Sequence, residues 1–197
     1  AAVDLVRNLP EKYPVILIAD RGYENYNLFA HIEERLFDYV IRIKDLNSNG
    51  ILSGIQFPDA QEFDIVRNLV ITRKSTGPFA VNKKVYKYFS SDKRFDFIVS
   101  SKAPDYDIQI RFVRFKLDNG EYEVLATSLQ SETFTLEQLK EIYQLRWNIE
   151  TSYLLSKWAL GMVSYHSIKS ENVRQEVFAD LVMYNFVMYR CADLKTD

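Results

Sequence analysis

Four polar side chains recur at a spacing that would bring them together on one face of a helix. Tyr143, Arg146, Glu150 and Lys157 stand at i, i+3, i+7 and i+14. At about 100° per residue, they fall within an arc of about 60°. Arg146 suits a bidentate contact with a phosphate and Lys157 a point-charge contact, while the Tyr143 hydroxyl can donate a hydrogen bond. A plain Arg146–Glu150 ion pair on a solvated helix face is the simpler interpretation.

The residues around this polar stripe are mostly apolar. Trp147, Ile149, Tyr153, Leu154 and Trp158 belong to the same segment. They predict a helix that is largely buried, and a buried helix seldom carries four polar side chains without a use for them. This weakens the simpler interpretation. From residue 135 onward, the pattern predicts two long helices divided near residues 161–170.

A further carboxylate, Asp20, ends the apolar run YPVILIAD at residues 13–20. Such a continuous run is typical of a strand buried on both faces of a mostly parallel sheet, which places Asp20 at the carboxyl end of that strand. With one cysteine and two histidines in the chain, a zinc site of Cys and His ligands and an internal disulfide are not expected. We therefore expect any metal ion to be held by oxygen.

The polar stripe resembles the Tyr, Arg, Glu, Lys signature of the insertion sequence 4 family of DDE transposases, which has the same spacing. ADRGY at residues 19–23 resembles the second-aspartate motif of that family. The resemblance implies that Asp20 and Glu150 are catalytic and metal-binding, with two Mg²⁺ (or Mn²⁺) ions in the complete protein. It also implies that Tyr143, Arg146 and Lys157 contact DNA phosphates at the transposon end.

The first aspartate of the family has no counterpart here. It lies on the first strand of the family's core sheet, whereas this chain starts just before the fourth strand. Asp4 cannot replace it, because three strands and a helix should separate it from Asp20, at about five residues per strand and ten or more per helix. We therefore expect a fragment that carries the second and third acidic residues and is inactive alone.

The family fold is ribonuclease H-like, with a β-strand insertion between the second and third carboxylates. Helical spacing at residues 26–36 and a strand pattern at 38–44 complete a strand, helix, strand unit. Short alternating runs between 45 and 119 predict antiparallel strands, and residues 124–129 predict a strand that returns to the core. We expect an α/β fold, a partial ribonuclease H-like mixed sheet with flanking helices. Its parts would be the first core segment at 1–44, a β-strand insertion at 45–123, and the second core segment with long helices at 124–197.

Only one segment of the chain has a charge balance that favours binding to DNA. The net charge of −2 does not favour a nucleic-acid partner, but residues 65–102 contain nine basic and two acidic residues. Lys83, Lys84 and Lys87 in this segment are candidate DNA contacts, although alternating strands with outward charges would give the same pattern.

The expected partners follow from the resemblance. They are double-stranded DNA, as transposon ends and as target, and a second copy of the protein in a synaptic homodimer. Since no apolar run reaches the roughly 20 residues that span a bilayer, no membrane partner is expected. The expected location is the bacterial cytoplasm, on the nucleoid when DNA is bound.

Two other functions compete with a transposase. The first is a non-catalytic DNA-binding or inhibitory derivative of a transposase, against which the intact polar stripe argues. The second is a general ribonuclease H-like nuclease, which predicts neither the long insertion nor Lys157 two turns beyond Glu150.

Overall fold

The computed structural model describes residues 1–46, 48–77, 82, 84–98, 105–158 and 165–192. The chain forms two compact units, Ala1–Tyr143 and Gln144–Asp197. Within the described residues, no helix is long and apolar enough to cross a membrane.

The first unit is built on a six-stranded mixed sheet. Its strands are β1 (Ile16–Ala19), β2 (Asp38–Ile43), β3 (Phe63–Thr72), β4 (Tyr86–Tyr88), β5 (Asp105–Lys116) and β6 (Tyr122–Thr127). Their order across the sheet is β1-β2-β6-β5-β3-β4. Helices α1 (Ala2–Asn8), α2 (Tyr26–Glu33) and α3 (Leu136–Gln144) accompany it. The predicted α/β mixed sheet with flanking helices is confirmed.

The strand, helix, strand unit has the expected form. Strands β1 and β2 pair in parallel, with Ala19 opposite Ile41, because α2 crosses between them. The Asn25 side chain caps α2 by accepting hydrogen bonds from the backbone N–H groups of Asn27 and Leu28. This connection holds the carboxyl end of β1 beside β2.

The strands of segment 45–123 extend the same sheet. Strand β6 pairs antiparallel with β2 and with β5, and β5 pairs antiparallel with β3. The expectation of antiparallel pairing is wrong for β4, which lies parallel to β3. Strand β4 can lie parallel to β3 because residues 73–85 between them are enough for a crossover connection.

No strand is found in residues 95–98, although the run FDFIVS predicted one; residues 99 and 100 lie outside the described part. The backbone N–H of Asp96 donates to the Asn27 side chain at 2.8 Å. Phe95 and Phe97 both pack against Tyr106, at 5.4 and 5.3 Å between ring centroids. The alternating pattern therefore reflects an aromatic cluster, and the Asn27 side chain takes the place of a strand partner for the Asp96 N–H.

Alternation along the strands separates two apolar cores. Tyr39, Ile41 and Ile43 of β2 belong to the larger core, which includes most of α2. Val40 belongs to the smaller core on the other face, where α3 contributes Leu139 and Tyr143. Arg42 shares the face of Val40, since side chains two apart on a strand point the same way.

The second unit contains helices α4 (Trp147–Trp158) and α5 (Ser170–Ala192). One continuous helix was expected to pass from residue 135 through the polar stripe. Instead α3 ends at Gln144 and α4 begins after a turn at Leu145 and Arg146. The N–H groups of Asn148 and Ile149 bond three residues back, to the carbonyls of Leu145 and Arg146. The stripe is therefore divided between two helices.

The expectation that the stripe helix is largely buried is also wrong. Its large apolar side chains are mostly exposed, from 55% for Ile149 to 72% for Trp158. Apolar residues occur all around α4, so packing on one neighbouring helix covers few of them. The described contacts between α4 and α5 include a polar one, because the Tyr184 hydroxyl on α5 donates a hydrogen bond to the Ser152 hydroxyl on α4 at 3.2 Å.

Candidate active site

Asp20 lies immediately after β1, at the start of the 3-10 turn Arg21–Tyr23. Its Oδ1 accepts a hydrogen bond from the backbone N–H of Arg21 at 2.7 Å. The side chain is 43% exposed. The carboxylate therefore stands at the carboxyl end of a sheet strand, as predicted, held by the turn and open to solvent.

Arg42 on β2 is the neighbour of Asp20 across the parallel pair. Its Nε donates to Asp20 Oδ1 at 2.9 Å, and its Nη1 donates to Glu123 Oε2 on β6 at 3.2 Å. Asp20, Arg42 and Glu123 thus form a chain of charges across three adjacent strands. Burial lowers the pKa of Arg42, but Tyr143, Glu123 and Asp20 together raise it above its ordinary value.

Arg42 and Glu123 were missed by the sequence analysis. Each is a charged residue in an alternating run, DYVIRI and YEVLAT. Two residues further into the strand, on the same face, stands a buried apolar residue, Val40 or Leu125. A charge at such a position needs a partner, because burying it alone is costly. A charged residue at such a position is the sequence signal that could have identified Arg42 and Glu123.

Tyr143 lies on α3 and is 5% exposed. It belongs to the smaller core with Leu139 and Val40, and its hydroxyl oxygen is shielded from solvent. The aromatic ring therefore packs on the sheet face that carries Arg42. Its role as a phosphate contact stays a prediction.

The second unit carries the other members of the stripe. Arg146 Nη1 pairs with Glu150 Oε1 at 2.7 Å, and the guanidinium lies over the Trp147 ring, 4.6 Å from its centroid. Glu150 is 47% exposed and Arg146 only 13%. Lys157 is exposed, with its ammonium group 5.6 Å from the Trp158 ring centroid. Glu150 and Lys157 share a face of α4, two turns apart.

The three candidate lysines differ in environment. Lys84 is exposed, whereas Lys83 lies outside the described residues. Lys87 is buried and donates from Nζ to the carbonyl of Ser53 at 2.8 Å. Burial lowers the pKa of Lys87 to about 8. Of the two described lysines, only Lys84 presents an ammonium group directly to solvent.

The donors at Asp20 and Glu150 fit a hard divalent cation. Both are carboxylates that are partly exposed, and each already faces a cationic guanidinium. Mg²⁺ and Mn²⁺ prefer oxygen ligands of this kind. Within the described residues, no three His, Cys, Asp or Glu side chains are grouped as metal ligands. Asp20 belongs to the first unit and Glu150 to the second, and their shared role as metal ligands stays a prediction.

A strand-end aspartate in a mixed α/β sheet, followed in the chain by Arg146, Glu150 and Lys157, is the arrangement that the resemblance led us to expect. The family model described as transposase DDE domain matches residues 1–186. The chain therefore belongs to the DDE transposase domain family, and its sheet is consistent with the ribonuclease H-like fold of that family. No curated protein matches the chain. Family membership implies a transposase or nuclease type of enzyme with DNA as its partner.

Proposed function

We propose that the chain is the part of an insertion sequence 4 type transposase that carries the second and third acidic residues, Asp20 and Glu150. The reaction is metal-dependent cleavage of DNA at transposon ends followed by strand transfer. The observation that carries the proposal is the Asp20 carboxylate at the end of β1, fixed by Arg21 N–H and by Arg42. Segments 1–44 and 124–197 would form the core, with 45–123 as its insertion.

Cleavage and strand transfer are in-line displacements at phosphorus. Two Mg²⁺ or Mn²⁺ ions, when bound, activate the attacking oxygen and stabilise the leaving one. Asp20 and Glu150 would hold them as anionic oxygen ligands. In the present structure the guanidinium of Arg146 pairs with Glu150, and it can exchange that carboxylate for a phosphate because its fork suits both.

Lys157 and Tyr143 would complete the phosphate contacts. Lys157 offers an exposed point charge on the face of α4 that carries Glu150. Tyr143 offers a hydroxyl donor, which must become accessible for this purpose because it is shielded in the present structure. Together these residues would align the scissile phosphate, and such alignment contributes strongly to rate.

The test of catalysis uses the complete transposase and a labelled transposon-end duplex. Asp20→Asn and Glu150→Gln should each lower Mg²⁺-dependent cleavage by a factor on the order of 10³ or more, since the reacting phosphate loses a metal ligand. Binding of the duplex, measured at one fixed salt concentration, should change much less. Glu121→Gln, an exposed carboxylate outside the site, is the matched control. Cleavage that survives both substitutions would contradict the catalytic role of Asp20 and Glu150. Duplex binding without any cleavage by the original protein would favour the non-catalytic DNA-binding derivative instead.

The test of the basic insertion is the salt dependence of duplex binding. Each phosphate contact contributes a log–log slope of about −0.9. Replacing Lys83 and Lys84 by Glu should weaken binding regardless of sequence and flatten the slope, because phosphate contacts position DNA without reading bases. Lys87 is left in place, because it is buried and bonds the carbonyl of Ser53. Lys84→Gln alone should remove about one contact. An unchanged slope in the double variant would contradict DNA binding by this segment.

A further inference from the structure

The charge chain across β1, β2 and β6 contains a carboxylate that the proposed reaction does not use. Glu123 is only 10% exposed at its side chain, although the next residue on the same face of β6, Leu125, is apolar and buried. Strand register brings it to Arg42, since Arg42 is opposite Leu125 and Glu123 is two residues away on the same face. The pairing is therefore built into the sheet.

The balance of charge between Asp20, Arg42 and Glu123 explains what Glu123 does. Arg42 alone would neutralise Asp20, and a neutral pair attracts a divalent cation weakly. Glu123 draws on the same guanidinium through Nη1, while Nε faces Asp20. The triplet of Asp20, Arg42 and Glu123 thus has two carboxylates and one guanidinium, a formal net charge of −1.

We propose that Glu123 is a positioning residue that shares Arg42 with Asp20 and thereby keeps the Asp20 carboxylate available to a divalent cation. This inference rests on the proposed function, in which Asp20 is a metal ligand. When the cation is bound, Arg42 stays on the sheet through Glu123 and does not need to leave the site.

The two substitutions that remove one charge each have opposite expected effects. Glu123→Gln leaves Arg42 to Asp20 alone and should raise the Mn²⁺ concentration needed for half-saturation by about fivefold. Arg42→Gln removes the competing cation and should lower it by a similar factor. The double variant restores the net charge and should return close to the original value. A merely structural role of the pair would not produce opposite signs.

The measurement is paramagnetic broadening of amide signals by substoichiometric Mn²⁺, which detects weak binding without catalysis. The reporters are the amides of Arg21 and Gly22, because the Arg21 N–H lies 2.7 Å from Asp20 Oδ1. Amide spectra of each variant without Mn²⁺ show whether the fold is retained. Glu121→Gln is the matched control, with the same charge change on the same strand region but an exposed side chain bonded to Asn119; it should leave the midpoint unchanged.

Asp20→Asn separates failure of this inference from failure of the proposed function. If it abolishes the broadening while Glu123→Gln and Arg42→Gln leave the midpoint unchanged, Asp20 binds metal but Glu123 does not act as proposed. If broadening persists in Asp20→Asn, or is missing both in the original chain and in Arg42→Gln, the metal role of Asp20 itself is wrong. Should Glu123→Gln fail to fold, the sign of the Arg42→Gln effect decides.

Discussion

The two units of this protein hold arginine–carboxylate pairs in very different surroundings. In the first unit, Arg111 is 2% exposed and binds both oxygens of Asp64, and it also donates to the carbonyls of Leu129 and Phe134. In the second, Arg146 binds Glu150 four residues along the chain. The first pair depends on strand register and loop packing, and the second on local spacing.

The difference teaches that the candidate residues are positioned by two different means. Asp20 has a rigid support made of neighbouring strands, whereas Glu150 has its own helix and one neighbouring guanidinium. The second unit also differs from the tightly packed sheet in its exposed apolar residues, such as Trp158 on α4 and Phe178 on α5. Both tryptophans of the chain, Trp147 and Trp158, belong to the second unit, so their fluorescence reports that unit alone.

The largest expected effect contrasts two phenylalanines. Phe112 is fully buried in the larger core, and Phe178 on α5 is 66% exposed. Phe112→Ala should lower the free energy of unfolding of the first unit by about 4 kcal/mol because it leaves a cavity. Phe178→Ala should change that of the second by no more than about 0.5 kcal/mol. Amide hydrogen exchange of β5 and Trp fluorescence in urea follow the two units. Equal effects would contradict the contrast.

Breaking the two ion pairs should give the next largest difference. Asp64→Ala leaves the Arg111 guanidinium buried without its carboxylate, which should cost about 3 kcal/mol. Glu150→Ala removes a helix i, i+4 pair and should cost about 0.5 kcal/mol or less. Urea unfolding at pH 7 measures both. The interpretation of Arg111 as a buried anchor would be wrong if Asp64→Ala proved as mild as Glu150→Ala.

A smaller effect concerns pH and the first unit only. Burial raises the pKa of Glu33 to about 7, with further contributions from Glu34 and Asp38, against a hydrogen bond from Tyr39. A raised folded-state pKa means that the native state binds more protons. The contribution of Glu33 to the free energy of unfolding is therefore greatest below about pH 4.5 and falls as pH rises through about 7. The loss should be about 1–3 kcal/mol after allowance for partial exposure.

Glu33→Gln should abolish this fall, because the amide has no proton to lose and keeps an oxygen for the Tyr39 hydroxyl. Urea unfolding between pH 5 and 8, followed by amide exchange of β2, measures it. Glu121→Gln, at an exposed position that does not contribute to the pKa shift of Glu33, is the control. A fall that is the same in Glu33→Gln and in the original chain would assign the pH dependence to another group.

Sequence patterns predicted the local features well. The strand ending at Asp20, the helix after it and the return strand β2 all follow from period and from turn residues, as does the i, i+4 relation of Arg146 and Glu150. These features depend on residues within a few positions of one another. The break between α3 and α4 was not predicted, since apolar and polar periodicity continue through Leu145 and Arg146.

By itself, the sequence determined the α/β class and the position of Asp20 at a strand end, and it supplied the candidate residues for binding metal and phosphate. Only the tertiary structure decided that Arg42 and Glu123 stand beside Asp20, that β4 lies parallel to β3, and that Lys87 is buried. The physical reason is strand register. A partner 22 or 103 residues away in the chain becomes a neighbour only when the hydrogen-bond ladders align the strands.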